Sequence, residues 1–303
     1  MSTGFTLERE PSVPQEILKA IEEKNLAVFI GAGVSQVVGC SSWRDLANSM
    51  VRKCHEKGCI NYRQRQVLSN SNDYKKTLTI CCHILIEKGM EKDFQECIET
   101  ACKGSDEKKK SVDVYAELIR IPALFLTTNF DRLFDEKFNA DRVVYKTIEF
   151  KYDLISEEKL YHIHGSINDH STLVLTVTQY LDRYNSEDFQ AFLRTIFAEK
   201  VVLFIGYGLS EFELLDFLIG KFGSREVKNP RFLLHPYYKG DERILEFDRE
   251  YFRNLGISVI GYEYDENGYE QLYHVLKSWN KEISRVSAHS HEVIKAIDEV
   301  VGI

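Results

Sequence analysis

At 303 residues, 44% of them hydrophobic, the chain has enough apolar surface for one large core and an inserted lobe. A formal net charge of −8 and a pI near 5.7 exclude a general nucleic-acid binder, which needs a basic field. No apolar run approaches the roughly 18 residues of a membrane span, and the N-terminus lacks a signal peptide's basic start and apolar core, so a cytoplasmic location off the membrane is expected.

In chain order, Pro11 and Pro14 lead into a short amphipathic helix over 14–24. The apolar run Leu26–Ile30 ends at Gly31 and is predicted to be a buried parallel strand. Residues 43–120 have helical spacing, few β-branched clusters and no proline before Pro122, which predicts several helices. The polar stretch 103–111, with the lysine run Lys108 to Lys110, is expected to be a solvated loop among them. Short apolar strands are predicted at Ala123–Leu126, Lys159–Ile163, Val201–Ile205, Phe232–His235 and Ile257–Ile260, with helices over 178–199, 240–254 and 267–283. Strands alternating with helices predict an α/β fold, a Rossmann-like doubly wound parallel sheet. The stretch 43–120 is too long for a simple crossover, which implies an inserted helical lobe. The expected domain is 1–285, followed by a C-terminal helix or tail over 286–303.

Seven cysteines suit a reducing compartment, and no CxxC pair occurs, so no zinc ribbon or other metal site is expected. Four turns carry the chemistry. Phe29–Ser35 (FIGAGVS) places Gly31, Ala32 and Gly33 after a buried strand, where backbone N–H groups can approach a phosphate and Ser35 adds a hydroxyl. Thr127–Asp131 (TTNFD) puts Thr128, Asn129 and Asp131 at the carboxyl edge of the sheet, although Asp131 also suits a helix cap. Tyr161–Ser166 (YHIHGS) sets His162 and His164 on one strand face by alternation, and Gly165 leaves room beside the second imidazole. Phe204–Glu211 (FIGYGLSE) repeats the strand–glycine turn with Gly206 and Ser210. All four turns end parallel strands, so one cleft can collect them.

The ordered set GAGVS, TTNFD, HGS, GYGLS, over about residues 26 to 215, resembles the sirtuin superfamily, especially its bacterial branch in anti-phage defence systems. The resemblance implies that Gly31, Ala32, Gly33 and Ser35 hold NAD phosphates. It places Asn129 and His164 at the nicotinamide ribose, with Thr128 and Asp131 lining the pocket, and Gly206 and Ser210 at the adenosine half. The chain departs from the protein-deacylating sirtuins. Gly39-Cys40-Ser41-Ser42-Trp43-Arg44-Asp45 stands where those enzymes carry a GIPDFR-type segment, and the CxxC pairs of their structural zinc are missing.

The resemblance implies a zinc-free NAD glycohydrolase that cleaves NAD to nicotinamide and ADP-ribose and depletes NAD in abortive infection. An NAD-dependent protein deacylase and a non-catalytic NAD or ADP-ribose sensor are the alternatives. Such a hydrolase needs control, and the resemblance implies a homo-oligomer or a partner such as a HerA-like ATPase or another phage-sensing protein. The tail aromatics Tyr262, Tyr264, Tyr269, Tyr273 and Trp279 are expected mostly in the core, with an interface as the other possibility.

Overall fold

The computed structural model describes residues 7–208 and 229–301. Seven strands form one all-parallel sheet: β1 (Leu26–Ile30), β2 (Leu124–Thr127), β3 (Val143–Val144), β4 (Leu160–His162), β5 (Val201–Ile205), β6 (Arg231–Tyr237) and β7 (Ile257–Glu263). Their order is β3-β4-β2-β1-β5-β6-β7. The chain therefore fills one side of β1 with β2, β4 and the edge strand β3, then returns to place β5 on the other. That reversal opens a crevice at the carboxyl ends of β1, β2 and β5, where open α/β sheets take ligands.

β1 and β5 match the predicted strands end to end, because both are five-residue apolar runs closed by glycine. β3 has only two residues and no sequence pattern to announce it.

Alternation along β1 divides the core. Leu26, Val28 and Ile30 face one layer, with α1 (Gln15–Glu22), α8 (Val114–Ile119) and the long helix α12 (Gln271–Val301), whose Trp279 is fully buried. Ala27 and Phe29 face the other, where Phe29 stacks on Phe197 of α10 (Glu187–Glu199) at 5.1 Å between ring centroids. The leucine, valine, isoleucine and phenylalanine side chains among them each contribute roughly 1.5–3 kcal/mol on burial. Helix α12 runs without a break across 285 and 286.

Between β1 and β2 lie the short helix α2 (Ala32–Val37) and the helices α3 (Trp43–Glu56), α4 (Tyr62–Ser69), α5 (Tyr74–Glu87) and α6 (Glu91–Cys102). Helices α3, α5 and α6 enclose a separate core containing Met50, Cys54, Cys81, Leu85 and Ile98, and this lobe stands over the crevice.

Residues 103–111 are not all loop: Asp106–Ser111 forms the short helix α7. The Ser105 hydroxyl caps it by accepting from the Lys108 N–H, with Asp106 and Glu107 in the first turn and the three lysines in the last, so the charges follow the helix polarity. Two further helices, α9 (Val177–Asn185) and α11 (Glu242–Arg253), complete the elements used below.

Candidate active site at the sheet switch point

The turns after β1 and β5 are locked together. Gly31 N–H donates to the Ile205 carbonyl at 2.9 Å, and Gly33 N–H donates to the Gly206 carbonyl at 2.8 Å. A Cβ on Gly31 would lie 2.6 Å from the Gly206 oxygen, and one on Gly33 would lie 2.8 Å from it. Gly206 has φ +70°, and its own Cβ would lie 2.6 Å from Val34 N. Glycine is needed here because two backbones touch.

Behind β2, Thr127 Oγ1 donates to the Ile30 carbonyl at 3.0 Å and accepts the Asn129 N–H at 3.0 Å. The Asn129 side-chain amide donates one N–H to the Gly31 carbonyl at 3.0 Å and the other to Ser35 Oγ at 2.8 Å. Since a carbonyl only accepts, the amide is oriented without ambiguity, and Asn129 Oδ1 is left as its acceptor. The Ser35 hydroxyl in turn donates a hydrogen bond to Asp131 Oδ2 at 2.6 Å, beside the Tyr115 hydroxyl at 3.0 Å. All three partners are buried. Burial holds the Asp131 carboxyl above its ordinary range, against the Ser35 hydrogen bond, which favours the charged form. Burial and Asp131 push the Tyr115 phenol up as well. Asp131 caps no helix: its Oδ1 accepts the Leu133 N–H at 3.1 Å, closing a local turn.

The two histidines do not share one environment. β4 ends at His162, so alternation stops there and the following residues turn. His162 lies against Asp135, with Nε2 2.7 Å from Oδ1, whereas His164 Nε2 lies 2.8 Å from the Tyr184 hydroxyl. His164 is buried, with the Tyr180 ring edge-on at 5.1 Å between centroids. Burial, aided by the Arg183 and Lys75 cations, pushes its pKa down to about 3, so it is a neutral imidazole at physiological pH. Its Nδ1 meets no hydrogen-bond partner among the described residues.

Gly165 leaves no open room beside this ring. It has φ +82°, and the place of a Cβ is taken by the Thr172 carbonyl oxygen at 2.1 Å. The glycine serves that close approach. The buried Arg183 guanidinium holds the same loop from below, donating to the Ile163 carbonyl at 2.6 Å and the Thr172 carbonyl at 3.2 Å.

Of the predicted residues that the structure describes, all but Gly31 line one or the other of two adjoining cavities. The larger, about 1250 Å³, has Gly33, Thr128, His164 and Gly206 in its wall, under Trp43, Arg44, Tyr74 and Lys75 of the helical lobe. Towards β6 and β7 it continues past His235, Tyr262, Tyr264 and Tyr269. The smaller, about 50 Å³, holds Ala32, Ser35, Asn129 and Asp131. Ser42, Trp43 and Thr128 belong to both. Ser210 lies outside the described residues.

Tyr262, Tyr264 and Tyr269 thus line the cavity, and of the tail aromatics Tyr262 and Trp279 are buried. Tyr184, Arg183, Lys75 and Tyr115 escape sequence reading because each comes from a helix remote from the motif that it touches. Among the described residues, no group of three or more His, Cys, Asp or Glu is placed to hold a metal ion, and no helix is long and apolar enough to cross a membrane.

Residues 123–260 match the family model described as a SIR2-like domain. This SIR2-like match includes Asn129, His164 and Gly206, and it starts downstream of the Gly31–Gly33 turn. Relatives extend the likeness. The chain is 25% identical to the NAD(+) hydrolase ThsA of Enterococcus faecium over 205 residues, 64% of this chain and 39% of the relative. It is 24% identical to the NAD(+) hydrolase ThsA of Cytobacillus dafuensis over 253 residues, 76% of this chain and 47% of the relative. The chain therefore spans less than half the length of either relative.

Proposed function

We propose that this chain is an NAD glycohydrolase, cleaving NAD to nicotinamide and ADP-ribose. One observation supports the reading: Asn129, its side chain locked by Gly31 and Ser35, and the neutral, buried His164 line two cavities that share Thr128. The names of the two relatives support the same chemistry.

NAD enters as substrate. Its diphosphate lies along the turn Gly31-Ala32-Gly33, its adenosine half is assigned to Gly206 and Ser210, and its nicotinamide ribose reaches the β2–β4 side. When the C–N glycosidic bond breaks, its electron pair leaves with nicotinamide, and positive charge develops on the ribose. Asn129 Oδ1, the free acceptor, holds a ribose hydroxyl or the incoming water. His164 acts as base toward that water or a ribose hydroxyl through Nδ1, which meets no partner among the described residues, and with a pKa of about 3 it holds the proton only transiently before passing it to solvent. Ser35 and Asp131 serve by holding Asn129, and Thr128 bridges the two cavities.

No zinc is required in this scheme. The cytoplasm is the proposed location and NAD depletion during anti-phage defence the proposed role, with control by a homo-oligomer or by a HerA-like ATPase or another phage-sensing partner. Metal analysis of the purified chain by mass spectrometry tests the zinc statement, and stoichiometric zinc overturns it. Incubation with NAD, read as nicotinamide and ADP-ribose formed, tests the reaction itself.

A further inference from the structure

His162 stands two residues before His164, and the proposed reaction gives it nothing to do. It is almost completely buried, and both ring nitrogens are in hydrogen-bond contact. Nδ1 lies 2.9 Å from the main-chain carbonyl oxygen of Asn129, and Nε2 lies 2.7 Å from Asp135 Oδ1. Both partners are oxygens that accept. A neutral imidazole has only one N–H and satisfies one of them, whereas an imidazolium satisfies both. The Asp135 carboxylate supplies the compensating charge, and its other oxygen accepts from Asn168 Nδ2 at 3.2 Å.

The contacts also have a direction. One side of the bridge is the β2 turn that carries Asn129, and the other is the β4 segment that carries His164. Ile167 N–H donates to the Phe130 carbonyl at 3.0 Å, so the two segments are tied at both ends.

We propose that His162 is a positioning residue, an imidazolium held by Asp135 that fixes the Asn129 main chain relative to the His164 segment. This rests on the reading of Asn129 and His164 as the reacting pair. The ring works against its own burial, which disfavours charge, and the Asp135 ion pair and the Asn129 carbonyl carry its pKa above the ordinary histidine value. The charged groups facing it are Asp135 and, farther off, Asp131.

Two measurements on the full chain test this. In protein labelled with nitrogen-15 histidine, the His162 ring signal is the one lost in His162→Gln. Both of its nitrogens are expected at imidazolium shifts at about pH 7.5, above the ordinary histidine pKa. A neutral tautomer there overturns the bridge.

The second measurement is the pH profile of NAD cleavage in Asp135→Asn. Loss of the carboxylate lowers the His162 pKa, so kcat is expected to fall on the order of tenfold at about pH 7.5, with KM little changed, and to recover as the pH drops. A loss of the same size at every pH, or no loss, overturns the positioning role. Asp135→Glu, which restores the carboxylate, is expected to recover part of kcat at about pH 7.5. If the unmodified chain leaves NAD intact, the proposed reaction falls by itself, and the ring-nitrogen shifts still decide the bridge.

Discussion

Asn129 donates both of its side-chain amide hydrogens inward, to the Gly31 carbonyl at 3.0 Å and to Ser35 Oγ at 2.8 Å. The strand turn expected to cradle phosphate is thereby the support of the proposed catalytic amide, and Ser35 and Asp131 extend that support into the core. Conversion to aspartate would set a carboxylate oxygen against the Gly31 carbonyl. Asn129→Asp is therefore expected to lose NAD cleavage as fully as Asn129→Ala while remaining folded by circular dichroism. Retained turnover in Asn129→Asp would show that the amide geometry is immaterial.

The contact between the β1 and β5 turns gives a stability test. Gly33→Ala brings a methyl to 2.8 Å from the Gly206 oxygen, a backbone atom with little freedom to yield. A loss of about 1–3 kcal/mol is expected in chemical denaturation. Gly58→Ala is the control: it has φ +69° with open space around it, so only the left-handed strain of about 1–2 kcal/mol applies. Nucleotide binding should suffer in the first variant and be untouched in the second.

His164 makes the fold acid-sensitive in a defined window. Its pKa is 6.5 in the unfolded chain and about 3 when folded. Between those values the unfolded chain binds a proton that the folded chain does not, so stability falls as the pH drops. Above 6.5 both states are neutral and the residue contributes no slope. Denaturation midpoints at about pH 7.5 and about pH 5 should differ more in the unmodified chain than in His164→Gln. Equal differences would mean that His164 is not held neutral.

Arg183 anchors the His164 loop through two carbonyls and has aromatic faces from Phe150 and Phe189 around its guanidinium. Arg183→Met would leave both carbonyls buried without donors, at a cost of about 3 kcal/mol. Thermal unfolding should show that loss, and Arg183→Lys should recover only part of it, because one ammonium does not reproduce the forked geometry.

The sheet could be read from the sequence because its strands are continuous apolar runs ended by glycine or short polar residues, as in β1 and β5. The helix Asp106–Ser111 was hidden by its charge, since solvated loops and short capped helices share that composition. The motif positions of Asn129 and His164 were likewise visible, but their surroundings were not. His162 meets Asp135 across 27 positions, and Asn129 meets Ser35 across 94. Such pairings depend on strand order, which no local pattern encodes. Gly165 also misled: its place in the motif suggested space for a ligand, and the Thr172 carbonyl occupies it.

The most direct measurement is incubation of the purified full chain with NAD, with nicotinamide and ADP-ribose quantified by liquid chromatography. The expected result is equimolar formation of both products, abolished in folded Asn129→Ala and in folded His164→Ala. Intact NAD with the unmodified chain, or full turnover in either variant, would contradict the assignment of this site.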